Sequence, residues 1–152
     1  MAYWSILVAA IAAHVLGFLW HGPLFGKQWM TLMNLGPNDM NKAKQKGMAK
    51  TYLISFAASL VTATVLRYFV YQRVSLILPA FPGIAFTLKG AILNGALVGL
   101  VIWFGFVTTK TLASVLWEGR PWKLYLLNTA YDLVNFLLMG AIVGGLSGFS
   151  WA

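Results

Sequence analysis

LYLLNTAYDLVNFLLMGAIVGGL, residues 124–146, decides the fold. A run this long and this apolar reaches the ~20 residues that a helix needs to cross a bilayer. Near its middle stands Asp132, ten residues or about 15 Å beyond Trp122 on the helical rise. Asn128, Asp132 and Asn135 recur at i, i+4 and i+7, so they project from one helix face. Ionisable side chains inside a membrane are costly, and they normally turn toward a bundle interior and a partner. The segment is therefore a spanning helix with a polar seam aimed at other helices.

Composition extends that reading to the whole chain. Of 152 residues, 60% are hydrophobic and 9% charged, and mean hydropathy is +0.77. Soluble domains carry about 25% charged residues, so this chain has too little polar surface to face water. Three further apolar runs, at about 4–21, 51–71 and 87–109, join a fourth at 122–146. Aromatic residues mark their ends: Tyr3, Trp4 and Trp20; Tyr52, Tyr68 and Tyr71; Phe86 and Phe106; Trp122 and Trp151. The expected fold is all-α: an integral membrane four-helix bundle forming a single domain over 1–152.

The net charge of +8 lies at the ends of the apolar runs rather than on one face. That is the distribution of membrane loops, and it argues against a nucleic-acid partner. Lys27, Lys42, Lys44, Lys46 and Lys50 fall in the first loop, and Lys110, Arg120 and Lys123 around the third. Arg67, Arg73 and Lys89 alone fall on the other side. The positive-inside rule then predicts both termini outside, in a bacterial cytoplasmic membrane. No basic residue precedes Ile6, and bulky Phe18, Trp20 and His21 occupy the place of a cleavage site, so the first run reads as a retained span.

The first loop has its own organisation. Phe25, Trp29, Leu32 and Met33 recur at helical spacing and predict a short amphipathic helix lying in the interface. Gly36-Pro37-Asn38 then breaks the chain, with Asn38 as the expected N-cap. Lys42, Lys46 and Lys50 follow at i, i+4 and i+8, a basic stripe suited to lipid headgroups or to an acidic partner. In the second loop, RVSLILPAFPGIAF, Pro79 and Pro82 deny a continuous helix.

Depth selects the partners of the polar seam. His14 is expected near the midplane, Ser59 (on a Ser55–Ser59–Thr62 stripe) at the same level, and Asn94 level with Asn135. Two readings stay open. Asp132 and His14 form a proton- or cation-handling centre, or a protonated Asp132 belongs to a hydrogen-bonded cluster that ties helices together. His14 and His21 share a face but are about 10 Å apart along the axis, too far for one metal, so neither a metal nor another cofactor is expected. Gly95 and Gly99, with Gly140, Gly144 and Gly148, have helix-packing spacing, by default inside the monomer and otherwise along a homodimer seam. Cysteine is absent, as are nucleophile–base sets and phosphate-cradling loops, so no enzymatic activity is expected.

Two stretches carry a family resemblance: GFLWHGPLFGKQW, residues 17–29, and EGRPWKLYLLNTAYDLVNFLLMGAI, residues 118–142. With the Gly-rich third span they resemble the bacterial and fungal membrane proteins catalogued as domain of unknown function seventeen-sixty-one, over nearly the whole chain. The resemblance implies a small multi-helix membrane protein and supplies no catalytic residues; its usual pattern has an aromatic such as Tyr where His21 stands. The expected role is a non-enzymatic structural or accessory subunit, as a homo-oligomer or within a larger membrane complex. The alternative is a proton-linked small-solute carrier or channel that uses the Asp132, His14, Asn128 and Asn135 seam.

Overall fold

The computed structural model describes residues 3–36, 38–39, 41–42, 47–77 and 87–148. All regular structure in them is helical. The chain runs through α1 (Trp4–Leu19), a wide π-helical turn (Trp20–Leu24), α2 (Gly26–Leu32), α3 (Met48–Ile77), α4 (Leu88–Ile102), a second wide turn (Trp103–Thr108), α5 (Thr109–Leu116) and α6 (Trp122–Gly148). Four stretches are long and apolar enough to cross a membrane: Trp4–Leu24, Met48–Val74, Leu88–Leu116 and Trp122–Ser147. The Pro79 and Pro82 break lies outside the described residues, as do Lys44 and Lys46.

The first three spans outrun their sequence limits, the first and third for identifiable reasons. Pro23 has no N–H to give the Leu19 carbonyl, and its ring would strike that carbonyl in a regular helix. The turn widens instead, and the Phe25 amide bonds the Trp20 carbonyl at 2.9 Å. In the third span Thr108, Thr109 and Lys110 suggested an end. The threonine hydroxyls instead donate to the carbonyls of Phe104 and Gly105, one turn back, so the polar residues stay helical. Lys110 is thus part of α5, and the third loop shrinks to a turn around Gly119, whose φ of 66° is left-handed.

Of the basic stripe, Lys42 and Lys50 do not share one helix. Gly47 has φ 78° and separates the helical residues around Lys42 from α3, where Lys50 lies. Asn38, expected as an N-cap, itself lies in helical geometry with Asp39, and the Asp39 carboxylate accepts from the Gly36 amide at 3.0 Å.

α4 and α6 make the most extensive helix contact. Both faces are built from glycine. A Cβ on Gly95 would run into the Gly140 carbonyl, and one on Gly140 into the Gly95 carbonyl. Gly99 lies likewise against the Phe136 carbonyl and Gly144 against that of Ala91. The two antiparallel backbones therefore touch along the ridges Ala91–Gly95–Gly99 and Phe136–Gly140–Gly144. The seam predicted at Gly140–Gly144 is thus occupied inside the monomer. α1 packs a small ridge, Ser5–Ala9–Ala13, against Ser147, Val143 and Met139 of α6, with the Ser5 and Ser147 hydroxyls 3.3 Å apart. Ala63, Leu66 and Val70 of α3 complete this core.

Replacing Gly95 with leucine forces the α4 and α6 backbones apart. Overpacking of this kind costs about 1–3 kcal/mol or more, so G95L should lower the melting temperature in detergent sharply or abolish monodisperse elution. Gly105→Leu, at a glycine with open space around it, should leave both nearly unchanged.

Candidate functional site

Two ends of the bundle can be distinguished. The terminal end carries Trp4 and Ser147; the lysine end carries the first and third loops. At the terminal half every core-facing stripe is closed. Ser5, Ala9 and Ala13 on α1, Ala63, Leu66 and Val70 on α3, and Met139, Val143 and Ser147 on α6 are all buried.

Toward the lysine end the same stripes open. On α1 they continue into half-buried Leu16, Gly17 and Trp20. On α3 they continue into half-buried Ser59 and Phe56, then Tyr52, which is 55% exposed although seven and eleven residues place it on the face of Ser59 and Ala63. On α6 they continue into Phe136, Asn135, Asp132 and Asn128, all half-buried. α2, the second wide turn and α5 pack on α6 at this end, where Leu124, Leu127 and Thr129 stay buried. The core-facing residues of α1, α3 and α6 are thus fully buried at the terminal half and only partly buried toward the lysine end.

Side-chain size also changes along the α4–α6 contact. One turn beyond Gly99 the α4 ridge meets Trp103, and one turn beyond Phe136 the α6 ridge meets Asp132. The glycine register sets these two residues at one level. Trp103 acts as a wedge, and its indole N–H donates to the Thr129 carbonyl at 2.8 Å. The second wide turn begins at Trp103, and the first is held at a similar depth by Tyr131. The Tyr131 ring packs on Trp20 (5.9 Å) and edge-on to His21 (4.8 Å). His21 also meets Trp29 of α2, and Trp20 meets Phe25. A Cβ on Gly17 would stand 3.1 Å from the Tyr131 hydroxyl, so glycine there makes room for the ring.

Asp132 therefore stands beside the C-terminal end of α1, next to the Tyr131–His21 contact. His14 is engaged elsewhere. Its Nδ1 faces the Ala10 carbonyl at 3.1 Å and its Nε2 the Ser55 hydroxyl at 3.3 Å, and its ring packs edge-on to Phe56. A carbonyl only accepts, so Nδ1 carries the proton. No hydrogen bond joins His14 to Asp132 among the described residues. Ser59 donates back to the Ser55 carbonyl at 3.0 Å. Asn94 is not level with Asn135, as expected from the sequence: the glycine register places it opposite Ala141, about 9 Å farther toward the terminal end.

The seam does not pair with itself. Asn128, Asp132 and Asn135 make no hydrogen bond among the described residues, and the Asn135 Oδ1 is buried without a partner. Asn94 Nδ2, Thr129 Oγ1 and Trp20 Nε1 are also buried and unpartnered. Arg67 lies near the terminal end with its guanidinium over the Tyr3 ring, 4.7 Å from the centroid. No group of three His, Asp or Glu residues able to hold a metal occurs among the described residues.

Sequence reasoning missed Tyr131, Trp103, Tyr52 and Phe56. One signal was present for the first wide turn, a proline inside an apolar helical run at Pro23. None marked the wedge, because its effect depends on the register between α4 and α6.

A family model described as protein of unknown function (DUF1761) matches residues 4–144. The chain belongs to the DUF1761 family. No curated protein and no solved structure matches it. The DUF1761 match spans all the elements above, from the start of α1 to Gly144 of the glycine crossing.

Cysteine pairs can test this arrangement in a chain that has none of its own. Ser5→Cys with Ser147→Cys should cross-link under mild oxidation, since the two hydroxyls are within 3.3 Å. His14→Cys with Asp132→Cys should not; efficient cross-linking of that pair would show that the two residues meet.

Proposed function

We propose that this DUF1761 protein is a non-enzymatic, proton- or cation-linked carrier of small solutes, with Asp132 as its central group. The observation that supports this reading is the unpaired seam. A seam that served only to tie helices would spend its hydrogen bonds between them. Asn128, Asp132 and Asn135 spend none among the described residues, and they lie half-buried next to a fully buried small-residue core. An accessory subunit would engage partners through its outer faces, and leaves those three groups without a purpose.

Orientation follows from charge. Eight of the eleven basic residues belong to the lysine end, so we place that end in the cytoplasm, with both termini outside. α2 then lies at the cytoplasmic interface, with Trp29 toward His21.

Two experiments follow. In proteoliposomes carrying an internal pH dye and an imposed potential, the wild type should move protons or cations, and Asp132→Asn should reduce the flux to the empty-liposome level while eluting normally. Equal flux in the variant sinks the carrier reading. For orientation, a single Ala152→Cys in intact cells should react with an impermeant maleimide from outside; labelling only after lysis would invert the topology.

A further inference from the structure

We propose that the turn joining α5 to α6, residues 117–123, is a docking surface for anionic phospholipid headgroups. Arg120 and Lys123 take the phosphate, and Trp117 and Trp122 seat the turn at the acyl boundary. This surface lies apart from the Asp132 seam and does not depend on the carrier reading.

Position comes first. The third span ends at Leu116 and the fourth begins at Trp122, so only residues 117–121 join them. The polar layer of a bilayer is about 5–7 Å thick on each side. A turn this short stays within that layer, among the phosphates, and does not project beyond them toward a soluble partner. Its own bonds keep it tight. Gly119 is left-handed at φ 66°, the Arg120 amide bonds the Ser114 carbonyl at 3.2 Å, and the Leu124 amide bonds the Pro121 carbonyl at 3.0 Å.

The side chains suit that level. Every residue from 116 to 123 is exposed, and Trp117, at 87%, is the most exposed large apolar side chain among the described residues. A tryptophan so placed is costly in water and favoured at the membrane interface, where one part is apolar and the other wet. Trp122 is also exposed, and Tyr125 braces it edge-on with ring centroids 5.9 Å apart.

Charge completes the match. The Glu118 carboxylate accepts from Arg120 Nε at 2.8 Å, and no other donor of that guanidinium is engaged among the described residues. The rest of its planar fork stays open to phosphate oxygens. Lys123 makes no ion pair or hydrogen bond among the described residues, and neither do Lys27, Lys50 and Lys110 at the same end. The other acid of this end, Asp39, is held by the Gly36 amide. α3 and α6 each carry a lysine and no acid in the first turn, so nothing in those turns offsets the positive helix end. The counter-charge must come from outside the chain.

A phospholipid supplies that charge together with an apolar neighbour for Leu116, Trp117 and Trp122. An acidic protein would supply the charge alone. The headgroup contact expected on Lys42, Lys46 and Lys50 loses its single helix, because Gly47 separates Lys42 from Lys50.

The test takes the full chain in mixed micelles with equal phosphatidylglycerol and phosphatidylcholine of matched acyl chains. After exchange into detergent, native mass spectrometry counts the lipids each protein retains. Wild type should keep phosphatidylglycerol in preference. Arg120→Gln combined with Lys123→Gln should lower that preference by about fivefold for each charge removed. Lys89→Gln, at an exposed lysine of the terminal end, should leave it unchanged.

Equal retention of the two lipids overturns the proposal, as does wild-type preference in the double variant or an equal loss in Lys89→Gln. Inorganic phosphate that displaces phosphatidylglycerol as well as added phosphatidylglycerol does would mark a free-anion site and overturn the lipid. Polyglutamate binding without any lipid preference would assign the surface to an acidic protein instead. Should the double variant fail to elute as a single species, Lys123→Gln alone decides, and an unchanged preference there overturns the surface.

Discussion

The close approach of α4 and α6 governs the rest of the molecule. In a membrane the lipid is as apolar as the core, so helices gain little by hiding leucine from it. They associate where backbones can come near enough for dispersion to accumulate. Gly95, Gly99, Gly140 and Gly144 allow that here, each leaving no room for a Cβ against a facing backbone. That contact fixes the register between the two most extensively packed helices, and hence the depth of everything on them. Asp132 meets the level of Trp103 because Phe136 lies against Gly99.

From this register follows a taper. Along α4 the ridge reads alanine, glycine, glycine, tryptophan. Three small residues close the terminal half, and one large residue opens the other. α1 repeats the logic, with Ser5, Ala9 and Ala13 followed by Gly17, which clears space for the Tyr131 ring. The polar seam falls where the helices separate, so the costly groups are placed where the structure already has room for them.

Much of this was legible in the sequence. Length and hydropathy identify four spans because a bilayer imposes a minimum run on any helix that crosses it. Gly95, Gly99, Gly140 and Gly144 stand out because close packing needs missing side chains at one spacing. The seam was legible as a face, since Asn128, Asp132 and Asn135 are bound by a single helix's period. What escaped was everything between helices. Depth measured from each span's own end set His14 beside Asp132 and Asn94 beside Asn135. The spans differ in length and extend past their apolar limits, so counting from the ends misaligned them. The basic stripe failed for a local reason: periodicity alone does not reveal that Gly47 takes a left-handed conformation.

A wide π turn is equivalent to one residue inserted into a helix without lengthening it by a full turn. Beyond Trp103–Thr108, which runs straight on into α5, every side chain is therefore rotated by about 100° from where a regular helix would have put it; after Trp20–Leu24, Phe25 leaves the helical region and α2 sets off in a new direction. The two wide turns, one in the first span and one in the third, act as phase shifts that re-aim a helix face partway down the membrane. Phe25 and Trp29 owe their position against Trp20 and His21 to that shift. A single-residue deletion within WHGPL would thus be a change of direction more than a change of length. It would turn α2, and with it Trp29, away from His21 while leaving the terminal half of the bundle untouched.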